Sequence, residues 1–113
     1  MMLHIVEAGI EINNPSLAAI ESAVRSSFDK TDTWPITLVG DSPNYDFMQN
    51  TDSHIEYNSV DEDIIYSCDD VDVETAVQLY MSYAKGEDGW KTAVAWKPYY
   101  IVVDGEYQVV ENT

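Results

Sequence analysis

The chain has 113 residues, enough for one domain with one modest hydrophobic core, and we read 1–113 as a single domain. Hydrophobic residues make up 45% and aromatic residues 12%, which excludes a disordered acidic tail, and the single cysteine, Cys68, excludes an internal disulfide framework or a multi-cysteine zinc site. Five Lys and Arg against 21 Asp and Glu give a formal net charge of −16, a field that repels DNA, RNA and anionic membranes and attracts basic proteins.

The stretch Leu3 to Glu7 suits a strand, and Ile10 and Ile12 continue the alternation after Gly9. Asn13-Asn14-Pro15 then marks a helix start, with Asn14 as N-cap and Pro15 at the first helical position. Leu17, Ile20, Val24 and Phe28 recur at helical spacing as one apolar stripe, and Glu21 and Arg25 form an i,i+4 pair on its flank. Asp29 to Thr33 ends the helix.

The middle reads as short strands separated by turns. Trp34 to Val39 is a strand entered through Pro35, and Gly40 to Asn44 is a turn. Tyr45 and Phe47 alternate with polar neighbours before a second turn at Asn50 to Ser53. Ile55 and Tyr57 alternate with His54, Glu56 and Asn58. Asn58 to Asp63 turns again, and Ile64 to Cys68 is another strand. Such spacing predicts an antiparallel meander.

A second helix follows, with Asp72 as N-cap and Val71 placed to staple against Ala76. Glu74 puts negative charge in the first turn. Val73, Ala76, Val77, Tyr80, Tyr83 and Ala84 make the apolar face, and Gly86 is the left-handed stop. Trp90 to Trp96 alternates like a strand, with Trp96 directed at Tyr80 or Tyr83. Lys97-Pro98 is a bend. Tyr99 to Val103 and Glu106 to Val110 flank Asp104-Gly105, the strongest hairpin signal in the chain and a type I′ turn. Helices and strands do not alternate regularly, so the pattern predicts an α+β fold: a mostly antiparallel sheet of six or seven strands with two helices on one face.

Chemistry-bearing motifs are sparse. His4 and His54 lie in predicted strands with no second ligand at motif spacing, and there is no H-E-x-x-H pattern. No family signature surrounds Cys68, which reads as a small buried hydrophobe. Asp70, Asp72 and Glu74 begin an EF-hand-like spacing, but Thr75 stands where the turn glycine belongs. Nothing selects a glycosidase-type pair among the 21 acids. No Gly-rich phosphate loop or G-x-S-x-G occurs. We expect no catalytic residues, no metal and no cofactor.

The distribution of charge says more. Between Lys30 and Lys85 there is no Lys or Arg, while twelve acids fall there, seven of them from Asp61 to Glu74. Tyr45, Phe47, Tyr57 and Tyr66 are interleaved with them. Acids around aromatics suit a surface for a basic protein, with rim charges for steering and aromatics as anchors. Asp46, Tyr57, Asp61, Glu62, Asp63, Asp69 and Asp70 are the candidate partner-binding residues. A solvated face, or an acid-rich proteome, is the bland alternative. Direct nucleic-acid and membrane binding are not expected. No apolar run suits a transmembrane span and Met1 to Gly9 lacks the makings of a signal peptide, so a cytoplasmic protein is expected.

The run Asp72-Val73-Glu74-Thr75-Ala76-Val77, followed by Tyr80, Tyr83, Gly86, Trp90, Val94 and Trp96, resembles the closing helix and strand of small bacterial immunity proteins encoded beside polymorphic toxins, in the first-numbered family of that series. Those chains end with an acid-started helix, an aromatic pair near its end, a Gly turn and a V-x-W strand. The run from Ile12 through Asn14-Pro15 to Val24 is similar to the family's Asn-Pro-led first helix. Residues 36–68 match in outline, and the hairpin from Tyr99 to Val110 lies beyond the family's usual ending. The resemblance implies no catalysis. It implies a protein that binds and neutralises a cognate toxin, often a nuclease or nucleic-acid deaminase, and such toxins tend to be basic. The main alternative is an acidic mimic of nucleic acid, of the kind phages use against a defence nuclease; a small enzyme or metal-binding domain is a third.

Overall fold

The computed structural model describes residues 1–5, 9–28, 36–40, 47–51, 53–59 and 63–109. Its elements are β1 (Met2–Ile5), β2 (Ile10–Asn13), α1 (Leu17–Ser27), β3 (Ile36–Val39), β4 (Phe47–Thr51), β5 (His54–Ser59), β6 (Ile64–Cys68), α2 (Val73–Ala84), α3 (Trp90–Ala93), β7 (Lys97–Val103) and β8 (Glu106–Val109). The fold is α+β. One sheet of eight strands runs in the order β2-β1-β3-β4-β5-β6-β7-β8, and every pairing is antiparallel. The sheet has eight strands where six or seven are expected: Ile10 and Ile12 form a separate strand rather than prolonging the first, while Trp90 to Trp96 stays out of the sheet. Gly9, at φ 67°, lies between β1 and β2, and β2 folds back on β1 with Leu3 opposite Ile12 and Ile5 opposite Ile10.

Period-two alternation divides the sheet into two faces. Leu3, Ile36, Leu38, Met48 and Ile55 point to one side and are essentially inaccessible, together with Ile20 and Val24 of α1 and Ala76, Leu79 and Tyr80 of α2. Among the described residues this is the hydrophobic core cluster, and it places both long helices on that face. Leu17, the first residue of the predicted stripe, stays exposed.

The helix starts differ in kind. Ser16, not Asn14, caps α1, its hydroxyl accepting the Ala19 N–H at 3.1 Å. Asn14 has φ 49°, outside the extended region that an N-cap requires, because its N–H is committed to the Met1 carbonyl at 2.7 Å. Asp72 caps α2 as expected, accepting the Thr75 N–H at 2.7 Å, and Gly86 terminates that end at φ 74°. Arg25 ties the helices together. Its guanidinium donates to both carboxylate oxygens of Glu74, at 2.6 and 3.2 Å, and to Glu21 at 2.9 Å.

Further expectations are corrected. Asn50, assigned to a turn, lies within β4 and is 1% exposed; Asn50 is tolerated there because its amide is hydrogen-bonded inside the core. Asn58 lies within β5 rather than in a turn. Trp90 to Trp96 is not a strand: Trp90–Ala93 forms the short helix α3, fixed by Lys91 and Thr92 N–H bonds to the Asp88 and Gly89 carbonyls. The Trp96 indole N–H then closes on the Trp90 carbonyl at 2.9 Å. The final turn forms as read, with Asp104 and Gly105 at φ 52° and 81°, the left-handed pair of a type I′ turn, but Lys97-Pro98 belongs to β7 and is not a bend before it. Asp29 to Pro35, Asp41 to Asn44, Tyr45 and Val110, assigned above from the sequence, lie outside the described residues.

Candidate functional site

The aromatics that the sequence offers as anchors go two ways. Tyr57 and Tyr66 stack across β5 and β6 with ring centres 5.1 Å apart, on the helix side of the sheet. The edges and faces of Trp90 and Trp96 meet Tyr57 at 4.7 and 4.8 Å, and Tyr83 meets Trp90 at 5.5 Å. Tyr57 is therefore the hub of an aromatic cluster that seats α3 and the end of α2 on the sheet. Trp96 packs on Tyr57 and Trp90, while Trp90 is the tryptophan that meets Tyr83.

The other sheet face carries no helix among the described residues. Because Ile55 and Tyr57 point to the core, His54 and Glu56 point to this open face. A polar row crosses it. The Thr37 hydroxyl donates to the Gln49 side-chain oxygen at 3.4 Å, and Gln49 Nε2 donates to Glu56 Oε1 at 3.1 Å. His54 stands beside Glu56 with Nε2 3.9 Å from the same oxygen, and its Nδ1 meets Asp69 Oδ1 at 2.5 Å. Tyr99 stands edge-on to the His54 ring at 5.3 Å, and Tyr100 lies against Tyr99 at 4.5 Å.

A β-bulge puts Tyr99 there. In the β6–β7 ladder Ile65 faces Tyr100 and Tyr66 faces Pro98, so Tyr99 is the extra residue. A bulge next to a proline is a usual place for a strand to re-aim a side chain. The Tyr99 phenol is pushed up from its ordinary value, first by the hydrogen bond with Tyr100 and, more weakly, by the negative fields of Glu56 and Asp69.

Where β6 ends and β7 begins, a cleft of about 580 Å³ opens beside this group, lined by Ser67, Cys68, Asp69, Asp70, Lys97 and Tyr99 among others. Burial, reinforced by the neighbouring Asp69, pushes the Cys68 thiol up, and its S–H is directed at the Asp69 carbonyl at 3.7 Å. Among the described residues no three His, Cys, Asp or Glu side chains converge on a point where a metal ion could sit. Asp72 and Glu74, the acids of the EF-hand-like spacing, are engaged in the cap and in the Arg25 pair. Thr75 N–H and Arg25 respectively hold both carboxyls below their usual range.

Of the candidate partner-binding residues, Asp69 and Asp70 are exposed at the mouth of the cleft, Asp70 with φ 59°. Asp63 is exposed before β6, at φ 54°, at the opposite end of that strand. Tyr57 is half-buried in the aromatic cluster. Asp46, Asp61 and Glu62 lie outside the described residues. His54 stands between Glu56 and Asp69 with Tyr99 against its ring, and Asp70 follows Asp69 in the lining of the cleft. Strand alternation could have put Glu56 and His54 together on the face opposite Ile55. Tyr99 depends on the bulge, for which the sequence carries only the hint of Pro98.

Compared with protein-family models, with curated proteins and with solved structures, the chain matches none. No helix among the described residues is long and apolar enough to cross a membrane.

Proposed function

We propose that this chain is a non-catalytic immunity-type inhibitor that binds and neutralises a basic toxin of nuclease or deaminase type in the cytoplasm. One observation carries the reading: on a chain of net charge −16, the helix-free face of the sheet groups Glu56, Asp69 and Tyr99 around His54, beside a cleft with Asp70 at its mouth. Such a face suits the groove with which a nucleic-acid-processing protein holds phosphates. Carboxylates would take the place of phosphate oxygens on Arg and Lys, and the tyrosines would cover apolar stems. The long-range field speeds encounter, and desolvated carboxylate–guanidinium pairs slow dissociation. The resemblance of both helix regions to immunity proteins supports the same reading.

The test is co-expression with the protein encoded by the adjacent gene. If that protein is toxic alone, growth is expected to be restored by this chain and to be lost again when Glu56→Gln and Asp69→Asn are combined. A neighbouring product that is acidic, or whose toxicity this chain leaves untouched, overturns the proposal.

A further inference from the structure

Among the described residues the sheet ends at β2, a four-residue edge whose one charge, Glu11, lies with its carboxylate 3.6 Å from His4 Nε2 on the face away from the helices. All four residues of β2 are exposed, Ile10 at 44% and Ile12 at 37% among them. Natural edge strands are usually blunted by charge, proline or a covering element. Here α1 turns Ala19, Ser22, Ala23 and Ser26 toward the strand, too small to close on it. An open cleft of about 360 Å³ remains between the helix and Ile10, Ile12 and Leu3.

The backbone of the edge is set by the ladder with β1. The Asn14 N–H bonds the Met1 carbonyl, and strand register continues from there. Hydrogen-bonded pairs in an antiparallel ladder alternate, so Leu3–Ile12 and Ile5–Ile10 are the bonded pairs. Glu11 and Asn13 therefore present their N–H and C=O groups to the free edge. Their side chains lie on the face away from the helices, while Ile10 and Ile12 point toward the cleft.

We propose that β2 is a docking edge at which an extended segment of the basic partner adds as a ninth strand. Its side chains alternate, apolar ones entering the α1 cleft beside Ile10 and Ile12 and basic ones meeting Glu11. The inference rests on the basic-partner reading for its charge. A second copy of this chain is disfavoured by the same charge, since two chains of −16 would bring their Glu11 residues together at one seam. Backbone pairing supplies the affinity in such strand addition, and the pockets for alternate side chains supply the selectivity.

Three hexapeptides separate the possibilities: alternating Lys-Val, a block isomer with three Lys before three Val, and alternating Glu-Val. Backbone amide NMR of the full chain is the readout. The alternating basic peptide is expected to shift Ile10 to Asn13, to slow amide exchange at Glu11 and Asn13, and to bind roughly tenfold tighter than its block isomer. Glu11→Pro removes the outward N–H without touching the β1 ladder and is expected to abolish this binding. Ile12→Lys is expected to do the same from the side-chain direction, and serves alone should the proline variant not fold. Equal binding of the block isomer, or shifts confined to Glu56 and Asp69 or to β8, overturns the docking edge while leaving the basic-partner reading standing. Binding of the acidic peptide at β2 as tight as the basic one supports the edge and contradicts the partner's charge. Failure of both basic peptides to bind anywhere contradicts the two together.

Discussion

The Tyr80 hydroxyl, on a residue wholly buried in the middle of α2, reaches the Asn50 side-chain oxygen of β4 at 3.3 Å. The same hydroxyl is 3.4 Å from the Ile36 carbonyl. Asn50 Nδ2 in turn donates to the Ser27 hydroxyl at 2.9 Å, which donates to the Val24 carbonyl at 2.6 Å. One buried polar chain thus joins α1, α2, β3 and β4. Burial raises the Tyr80 phenol well above its ordinary value, so it remains a donor.

Replacing Asn50 by Leu removes one hydrogen bond from Ser27, which keeps the Val24 carbonyl, and one from Tyr80, which keeps the Ile36 carbonyl. Each lost bond costs about 0.5–1.5 kcal/mol. Thermal unfolding is expected to fall by roughly 4 °C or more per kcal/mol. Tyr80→Phe removes only the hydroxyl and is expected to be the milder variant. An Asn50→Leu protein as stable as wild type would show that the chain of bonds contributes nothing net.

The aromatic cluster predicts an order among tryptophans. Trp90 is 8% exposed and touches Tyr57, Tyr83 and Trp96, whereas Trp96 is half-buried. Trp90→Ala is expected to cost about 3–5 kcal/mol, and Trp96→Ala clearly less. Urea denaturation of the two variants measures this directly. The reverse order would place the keystone at Trp96.

Acid should loosen the helix pair. Arg25 lowers the Glu74 carboxyl and the Thr75 N–H lowers that of Asp72. A carboxyl lowered in the folded state contributes stability above its unfolded value, and that contribution disappears as pH falls through the folded value. The melting temperature of Glu74→Gln is expected to lie below wild type near neutrality. The difference should close as pH drops below the ordinary Glu value of 4.5. A gap that persists unchanged at pH 2 would assign the effect to packing.

If the chain binds a basic partner as proposed, association should slow steeply as salt rises from low to physiological strength, because the Debye length shrinks to about 8 Å. Glu56→Gln with Asp69→Asn is expected to weaken the complex by about 2–5 kcal/mol if these carboxylates are desolvated against Arg, with the fold intact by circular dichroism. Stopped-flow rates insensitive to salt would remove the electrostatic steering.

Much of this architecture is legible in the sequence because it is local. Asp72 and Gly86 bound α2, Asp104-Gly105 forces its turn, and the apolar periods set the core faces. What escapes is decided by distant partners. Asn50 looks like a turn residue until Ser27 and Tyr80 meet it. Trp90 to Trp96 alternates like a strand, but the sheet places β7 beside β6, and Trp90 is drawn into the cluster around Tyr57. The interleaving of Tyr57 with acids suggests a surface anchor, yet its alternation with Glu56 sends only one of the two to the open face. The acidic stretch is plain in the sequence, whereas the meeting of His54, Asp69 and Tyr99 depends on strand pairing and a bulge.

Stoichiometric neutralisation of the proposed toxin is measured most directly by titrating the adjacent gene's product with this chain. With the toxin well above the dissociation constant, its nuclease or deaminase activity is expected to fall linearly and vanish at one equivalent of this chain. Activity that survives an excess of this chain, or that falls only when the chain turns over the substrate itself, would contradict the account.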